Sequence, residues 1–306
     1  MIGRVTQTSM QYSSMRSLQS NQSRLAGLQN QQSTGKILTR PSDDPAAAVD
    51  AMRLRTQQRL NTQYTRNTND AVGWLSTMDS TLTTVSSQLT GVRNLIIQAG
   101  NGALSPTQRE ALASQLDAAS GSLLGLANTQ YMGRGIFAGT STAESAFTAN
   151  GDGTYTWTGN AGATVERRLN ADTTVRVDAD GASLFGTEAA GSASPSSLFA
   201  FIDGLAATLR DPAQTLDVSA SLTRIDGFSA KVLSESSAVG TRYNQAQAAQ
   251  ASQQSLSISL TQQLSDVEDA DLAETIIAVQ TQQVAYQAAL SATAQVLQPS
   301  LLDFLR

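Results

Sequence analysis

The sequence predicts a mainly α fold with a small inserted β domain, an α+β chain built as an elongated antiparallel helical bundle or coiled-coil rod. Three observations carry this. Leu75, Met78, Leu82, Val85, Leu89, Val92 and Ile96 alternate three- and four-residue steps without a miss, the mark of a long amphipathic helix. From Phe147 to Phe185 the period drops to two. Helical spacing then returns and runs to the end, so both termini lie on the helical side.

Element by element, residues 1–40 are rich in Ser and Gln over a thin apolar stripe. Met15, Leu18, Leu25 and Leu28 fall at helical spacing, with Gln22 and Gln29 at the intervening heptad positions. So polar a seam needs a neighbour. Pro41 breaks the pattern, and Ser42-Asp43-Asp44-Pro45-Ala46-Ala47-Ala48 reads as a new helix start: an Asp to cap the free amides, Pro45 in the first turn, then three Ala. The long seam ends at Gly100-Asn101-Gly102. Ser105-Pro106-Thr107-Gln108 is a capping box, and Leu112, Leu116, Ala119, Leu123 and Leu126 continue as a second helix, antiparallel to the first.

Met132-Gly133-Arg134-Gly135-Ile136-Phe137-Ala138-Gly139 is Gly-rich, but it follows a helix and lacks dinucleotide-loop spacing, so a turn into a new domain is expected. Thr154–Thr158, Thr164–Glu166 and Val175–Val177 are the expected strands, with turns at Asp152-Gly153 and Asn160-Ala161-Gly162. Asp178-Ala179-Asp180-Gly181 fails as a calcium loop, because the frame puts Arg176 at the first ligand position; a strand-end turn is expected instead. After Ser194-Pro195, Leu198, Phe201, Leu205 and Leu209 form one helical stripe. Val218, Leu222, Ile225, Val232 and Val239 form another. The last arm carries Leu256, Leu260 and Leu264. Its final stripe is Ile276, Leu290, Leu297 and Phe304, at multiples of seven, flanked by Val279 and Tyr286. Pro299 interrupts it.

Composition narrows the chemistry. Aromatic residues make up 5% of the 306, and there is no Cys and no His. Disulfides and thiolate chemistry are therefore excluded, ordinary zinc sites lack their ligands, and the commonest general base is missing. Met1-Ile2-Gly3-Arg4-Val5 has no apolar stretch of the secretory type, and no run reaches membrane-spanning length. The charge is uneven: up to Arg66, eight Arg and Lys36 oppose Asp43, Asp44 and Asp50, whereas from Asp266 onward Asp266, Glu268, Asp269, Asp271, Glu274 and Asp303 face Arg306 alone. Two readings stand: solvated helical faces, or a basic N-terminal arm that pairs with an acidic C-terminal one. Nucleic-acid binding is not expected, since the Arg residues are dispersed and the chain is acidic overall. No pair of carboxylates, no framed Ser–Lys pair at Lys36 or Lys231, and no cofactor loop emerges, so no catalytic residue, metal or cofactor is expected.

The strings Ser33-Thr34-Gly35-Lys36-Ile37-Leu38-Thr39-Arg40-Pro41-Ser42-Asp43-Asp44-Pro45 and Ser300-Leu301-Leu302-Asp303-Phe304-Leu305 resemble the flagellin-like family of bacterial flagellar axial proteins, and within it the branch at the hook–filament junction. The resemblance implies a structural adaptor, not an enzyme: a junction between hook and filament, carried outside the cell by type III export without a cleaved signal peptide. It implies as partners further copies in a ring-like layer, a hook-side hook-associated protein, flagellin and an export chaperone. The filament subunit itself is the alternative, and an unrelated secreted scaffold or hydrolase lies further off. The expected organisation is an N-terminal assembly arm (1–44), a helical core (45–135), a β domain (136–192), more helical core (193–242) and a C-terminal assembly arm (243–306). The expected assembly residues are Met15, Leu18, Leu25, Leu28, Gly35, Lys36, Asp43, Asp44, Pro45, Ile276, Leu290, Leu297, Leu301, Leu302 and Phe304. Arms so polar at the seam are expected to be weakly structured until they pair.

Overall fold

The structure, a computed structural model, describes residues 2–101, 104–188 and 196–297, without the side chains of 2–8, 10, 11 and 295–297. Leu301, Leu302 and Phe304 lie outside the described residues, as do Pro299 and Ser194-Pro195; of Leu297 only the backbone is described. The helices are α1 (Ile2–Thr34), α2 (Pro45–Ala99), α3 (Pro106–Ala127), α4 (Gly181–Phe185), α5 (Leu198–Arg210), α6 (Val218–Glu268) and α7 (Leu272–Leu297). Between α3 and α4 lie β1 (Gln130–Tyr131), β2 (Arg134–Gly135), β3 (Phe147–Ala149), β4 (Tyr155–Trp157), β5 (Glu166–Arg168) and β6 (Thr174–Arg176). They pair as three antiparallel hairpins, β1–β2, β3–β4 and β5–β6. The chain forms two compact units, residues 61–256 and residues 1–60 with 257–306.

The 61–256 unit holds the main apolar core. All seven seam residues from Leu75 to Ile96 are fully buried there. The capping box at Ser105 and Gln108 is formed in full, with Pro106 in the first turn of α3. Helices α2 and α3 run antiparallel: Ile97 and Leu112 line one cavity beside the turn, while at the other end the Trp74 and Tyr131 rings lie 5.6 Å apart. Arg109 at the start of α3 donates to the carbonyls of Thr208 (3.2 Å) and Asp211 (2.8 Å) at the end of α5, which satisfies two orphan helix-end acceptors.

The β segment belongs to the same compact unit as α3 and α5. Phe137 and Phe147 pack edge-on against Phe185 of α4, and Phe185 stacks on Phe199 of α5, so hairpins and helices share one core. The three expected strands are present as β4, β5 and β6, the second displaced towards the C-terminus; β1, β2 and β3 are additional. Buried Glu188 ties the segment to α5 by accepting from the amides of Ser196 and Ser197 and the Ser197 hydroxyl. The Tyr155 hydroxyl donates to Asp203 of α5 at 2.7 Å, and burial together with that bond pushes its pKa up to about 12. Asp180 caps the short helix α4, and buried Asp178 accepts from Arg176 at 3.0 and 3.1 Å, so these two acids have structural partners.

The terminal unit is built on α1 and α7. Lys36 bridges to Asp269 and Gln282 donates to Asn21, which fixes the pair as antiparallel. Leu18, Leu25 and Leu28 of α1 are half-buried, as is Tyr286 of α7, and Val279 is buried. The polar residues Ser14, Asn21, Gln31 and Gln282 are half-buried as well. Helix α6 passes residue 243 without interruption, and the division between the compact units falls after Leu256.

Candidate functional site: the joint of the terminal arms

The Thr34-Gly35-Lys36 motif of the N-terminal arm meets the acidic segment of the C-terminal arm, and the Ser42-Asp43-Asp44-Pro45 motif follows it a few residues on. Helix α1 ends at Thr34 because Gly35 takes φ +67°, a left-handed value that costs glycine nothing, while its amide still donates to Gln31 O at 2.8 Å. The chain then runs extended for a few residues. Ile37 donates to the carbonyl of Glu268 at 2.7 Å, and Ala270 donates to that of Gly35 at 2.9 Å, forming an antiparallel bridge between Lys36 and Asp269.

The side chains reinforce the bridge. Lys36 Nζ lies 2.7 Å from Asp269 Oδ1 and 3.2 Å from Glu268 Oε2. Arg55 of α2 reaches the same Glu268 at 2.8 Å. The Glu268 side chain is only 4% exposed, so its charge is held between two cations. The bond to Asp269 raises the Lys36 pKa above the ordinary lysine value against a desolvation that lowers it, and the reciprocal bond holds Asp269 below the carboxylate range, helped by Ser265.

The Ser42-Asp43-Asp44-Pro45 motif shapes the exit from the joint. Asp43 accepts from the Thr39 hydroxyl (2.9 Å) and the Arg40 amide (2.8 Å), which closes the loop and lowers the Asp43 pKa. Asp44 caps α2 through the amides of Ala46 (2.9 Å) and Ala47 (3.1 Å), and Pro45 opens the helix. Gly35, Lys36, Asp43, Asp44 and Pro45 thus belong to one local structure.

Of the two readings of the acidic run, a solvated face or a partner for the basic N-terminal arm, the pairs that Glu268 and Asp269 make with Lys36 and Arg55 follow the second. Two features of the joint go beyond the sequence reading: Glu268 is buried, and Asp271 caps a new helix through the amides of Ala273 (2.8 Å) and Glu274 (3.3 Å). Asp271-Leu272-Ala273-Glu274 has the spacing of a capping box, which is the signal for this break. The seam of α7 also differs. Val279 and Tyr286, expected to flank it, face α1 with Gln282, whereas Ile276 is 42% and Leu290 43% exposed. Helical rotation explains this: residues at multiples of seven from Ile276 form a stripe beside the one that meets α1. On α1, Leu18, Leu25 and Leu28 are in the seam and Met15 is 59% exposed. Among the described residues, no group of three or more acids could hold a metal ion.

Comparison with known proteins fits this arrangement. The sequence matches the bacterial flagellin N-terminal helical region over residues 5–142 and the bacterial flagellin C-terminal helical region over residues 222–305. Flagellar hook-associated protein 3 of Escherichia coli is 30% identical over 303 residues, 93% of this chain and 94% of that one. The protein of the same name from Salmonella typhimurium is 32% identical over 219 residues, 69% of this chain and 68% of its own. In fold, the chain is similar to the flagellar junction protein FlgL from Legionella pneumophila, with a TM-score of 0.56 at 17% identity over 71% of this chain and 100% of that one. With paired flagellin-type arms at both ends and near-full-length similarity to a named member, the chain belongs to the flagellar hook-associated protein 3 family, structural proteins of the hook–filament junction of the bacterial flagellum.

Proposed function

We propose that the chain joins hook to filament by coupled folding and assembly of its terminal arms, and that it does so without catalysis. One observation carries the mechanism. The α1–α7 seam uses Leu18, Leu25, Leu28 and Val279, yet further apolar side chains remain outside it: Met15, Ile276, Ile277, Val284 and Leu290. A helix apolar beyond its intramolecular seam is built for additional neighbours. Burying each such side chain against another subunit yields about 1.5–3 kcal/mol, less the cost of ordering the arms. Neighbours of the right kind are copies of the chain in a ring-like layer, a hook-side hook-associated protein and flagellin. A weakly held seam also suits passage of an unfolded chain through the type III export route with an export chaperone.

Electron microscopy of a deletion strain, with a blot for flagellin in the culture medium, tests this. Hooks without filaments and flagellin shed into the medium are expected. Normal flagella would overturn the reading.

A further inference from the structure

Beside the joint, the terminal unit contains a cleft of about 240 Å³ whose lining combines apolar Leu38, Pro41, Ala48, Ala51 and Met52 with Thr39 and the charged Arg40, Arg55 and Glu268. Val49 and Met52 of α2 and Ile37 of the loop are exposed around it. Arg55 is committed to Glu268, whereas Arg40 makes no salt bridge within 4 Å among the described residues and has Asp43 as a charged neighbour. The cleft is thus a partly apolar slot with one lining cation outside the Glu268 salt bridges, suited to a short segment that alternates apolar side chains with an acid. The chain carries such a segment in Leu301-Leu302-Asp303-Phe304.

We infer that this segment of a second copy docks in the cleft, Leu301 and Leu302 on the apolar floor and Asp303 against Arg40. A second copy is required by reach. The cleft lies at the start of α7, next to Glu268, and the 26-residue helix carries the chain about 37 Å away. Leu301 and Leu302 follow Leu297 by four and five residues, which extend at most about 18 Å. Their own cleft is therefore out of range, and docking links copies head to tail along the direction of α7. This rests on the assembly reading above and adds to it which surface of one copy receives which segment of the next.

The chain has no cysteine, so introduced thiols report cleanly. Full-length Met52→Cys and Leu302→Cys chains are co-expressed in the deletion strain and oxidised on the assembled flagella. A disulfide-linked pair at twice the 32.1 kDa chain mass, absent when either variant is expressed alone, is expected. The same linkage should be lost when Ala48→Arg is added to fill the slot of the Met52→Cys chain. Filaments of normal number with no linked pair overturn the docking while leaving the junction role intact. A linked monomer in the Met52→Cys/Leu302→Cys double variant, without dimer, overturns it too. Normal filaments in the uncomplemented deletion strain overturn the assembly reading itself.

Discussion

Lys36 and Asp269, 233 positions apart in the sequence, meet both as an antiparallel backbone pair and as a 2.7 Å ion pair. This one contact closes the terminal unit where α1 leaves it and α6 gives way to α7. It also gives charges at the basic and acidic ends of the chain a structural part: they hold a loop against a helix end, and buried Glu268 is shared with Arg55.

That tie should depend on pH in a defined window. Asp269 is held below the ordinary carboxylate value, so its contribution is complete above about pH 4 and lost as pH falls through its lower folded value. Lys36 is raised, so its contribution is complete below about pH 10.4 and lost as pH climbs through its higher folded value. The difference in urea midpoint between wild type and Lys36→Met should be constant near neutrality and shrink at both extremes. A difference unchanged at pH 2 would mean that the Lys36 stem acts through packing alone.

Gly35 should tolerate few replacements for a backbone reason. A Cβ at this position meets nothing within 4 Å, so the penalty comes from φ +67° alone. Gly35→Val should cost about 1–2 kcal/mol and Gly35→Asn distinctly less, since Asn visits the left-handed region readily. Denaturation of the two variants by urea, followed by circular dichroism, measures both. Equal losses would assign the effect to something other than backbone conformation.

Stability and assembly should separate by position. Leu82 lies fully buried in the core of the 61–256 unit, and Leu82→Ala should cost about 2–5 kcal/mol. Leu290 is partly exposed on α7, and Leu290→Ala should change monomer stability by no more than about 0.5 kcal/mol while weakening assembly. Thermal melts of purified chains, set beside filament counts in complemented cells, read the two effects. A destabilised Leu290→Ala monomer would place that side chain in an intramolecular core.

Much of this was legible before the structure. The Leu75–Ile96 seam and the Ser105 capping box are local signals, and local signals survive folding unchanged. The Asp44–Pro45 helix start was readable for the same reason. What was not legible depended on distant partners. Glu268 looks like a solvated acid until Lys36 and Arg55 arrive from the other end of the chain. On α7 two apolar stripes run side by side, and heptad counting cannot tell which one meets α1. Strands β1, β2 and β3, of two and three residues, do not display a period of their own; the hint for β1–β2 was Met132-Gly133, whose φ values of 49° and 77° suit a tight two-residue turn.

Amide exchange should distinguish the arms from the core. The Leu75–Ile96 seam is packed from end to end, whereas the α1–α7 seam is interrupted by Asn21, Gln31 and Gln282 and is only half-buried. Amides of α1 and α7 away from the Lys36–Asp269 joint should therefore exchange faster in the isolated monomer than in assembled junctions, while those of the α2 seam stay protected in both. Slow exchange throughout the monomer arms would rule out folding coupled to assembly.

The C-terminal motif gives the sharpest separation of fold from function. Leu301 and Leu302 follow Leu297, the last residue of α7, in the sequence, and they are not part of the 61–256 stretch that forms the other unit. Replacing both with Asp puts two charges into a contact proposed to be apolar, at a cost of several kcal/mol per buried charge if the contact forms. The purified Leu301→Asp/Leu302→Asp chain should keep its helical circular dichroism and melt as the wild type does. Cells carrying it should shed flagellin into the medium and grow hooks without filaments, as the deletion strain is expected to. Filaments of normal length in those cells would show that this segment is dispensable and would leave assembly to Ile276, Leu290 and the α1 face.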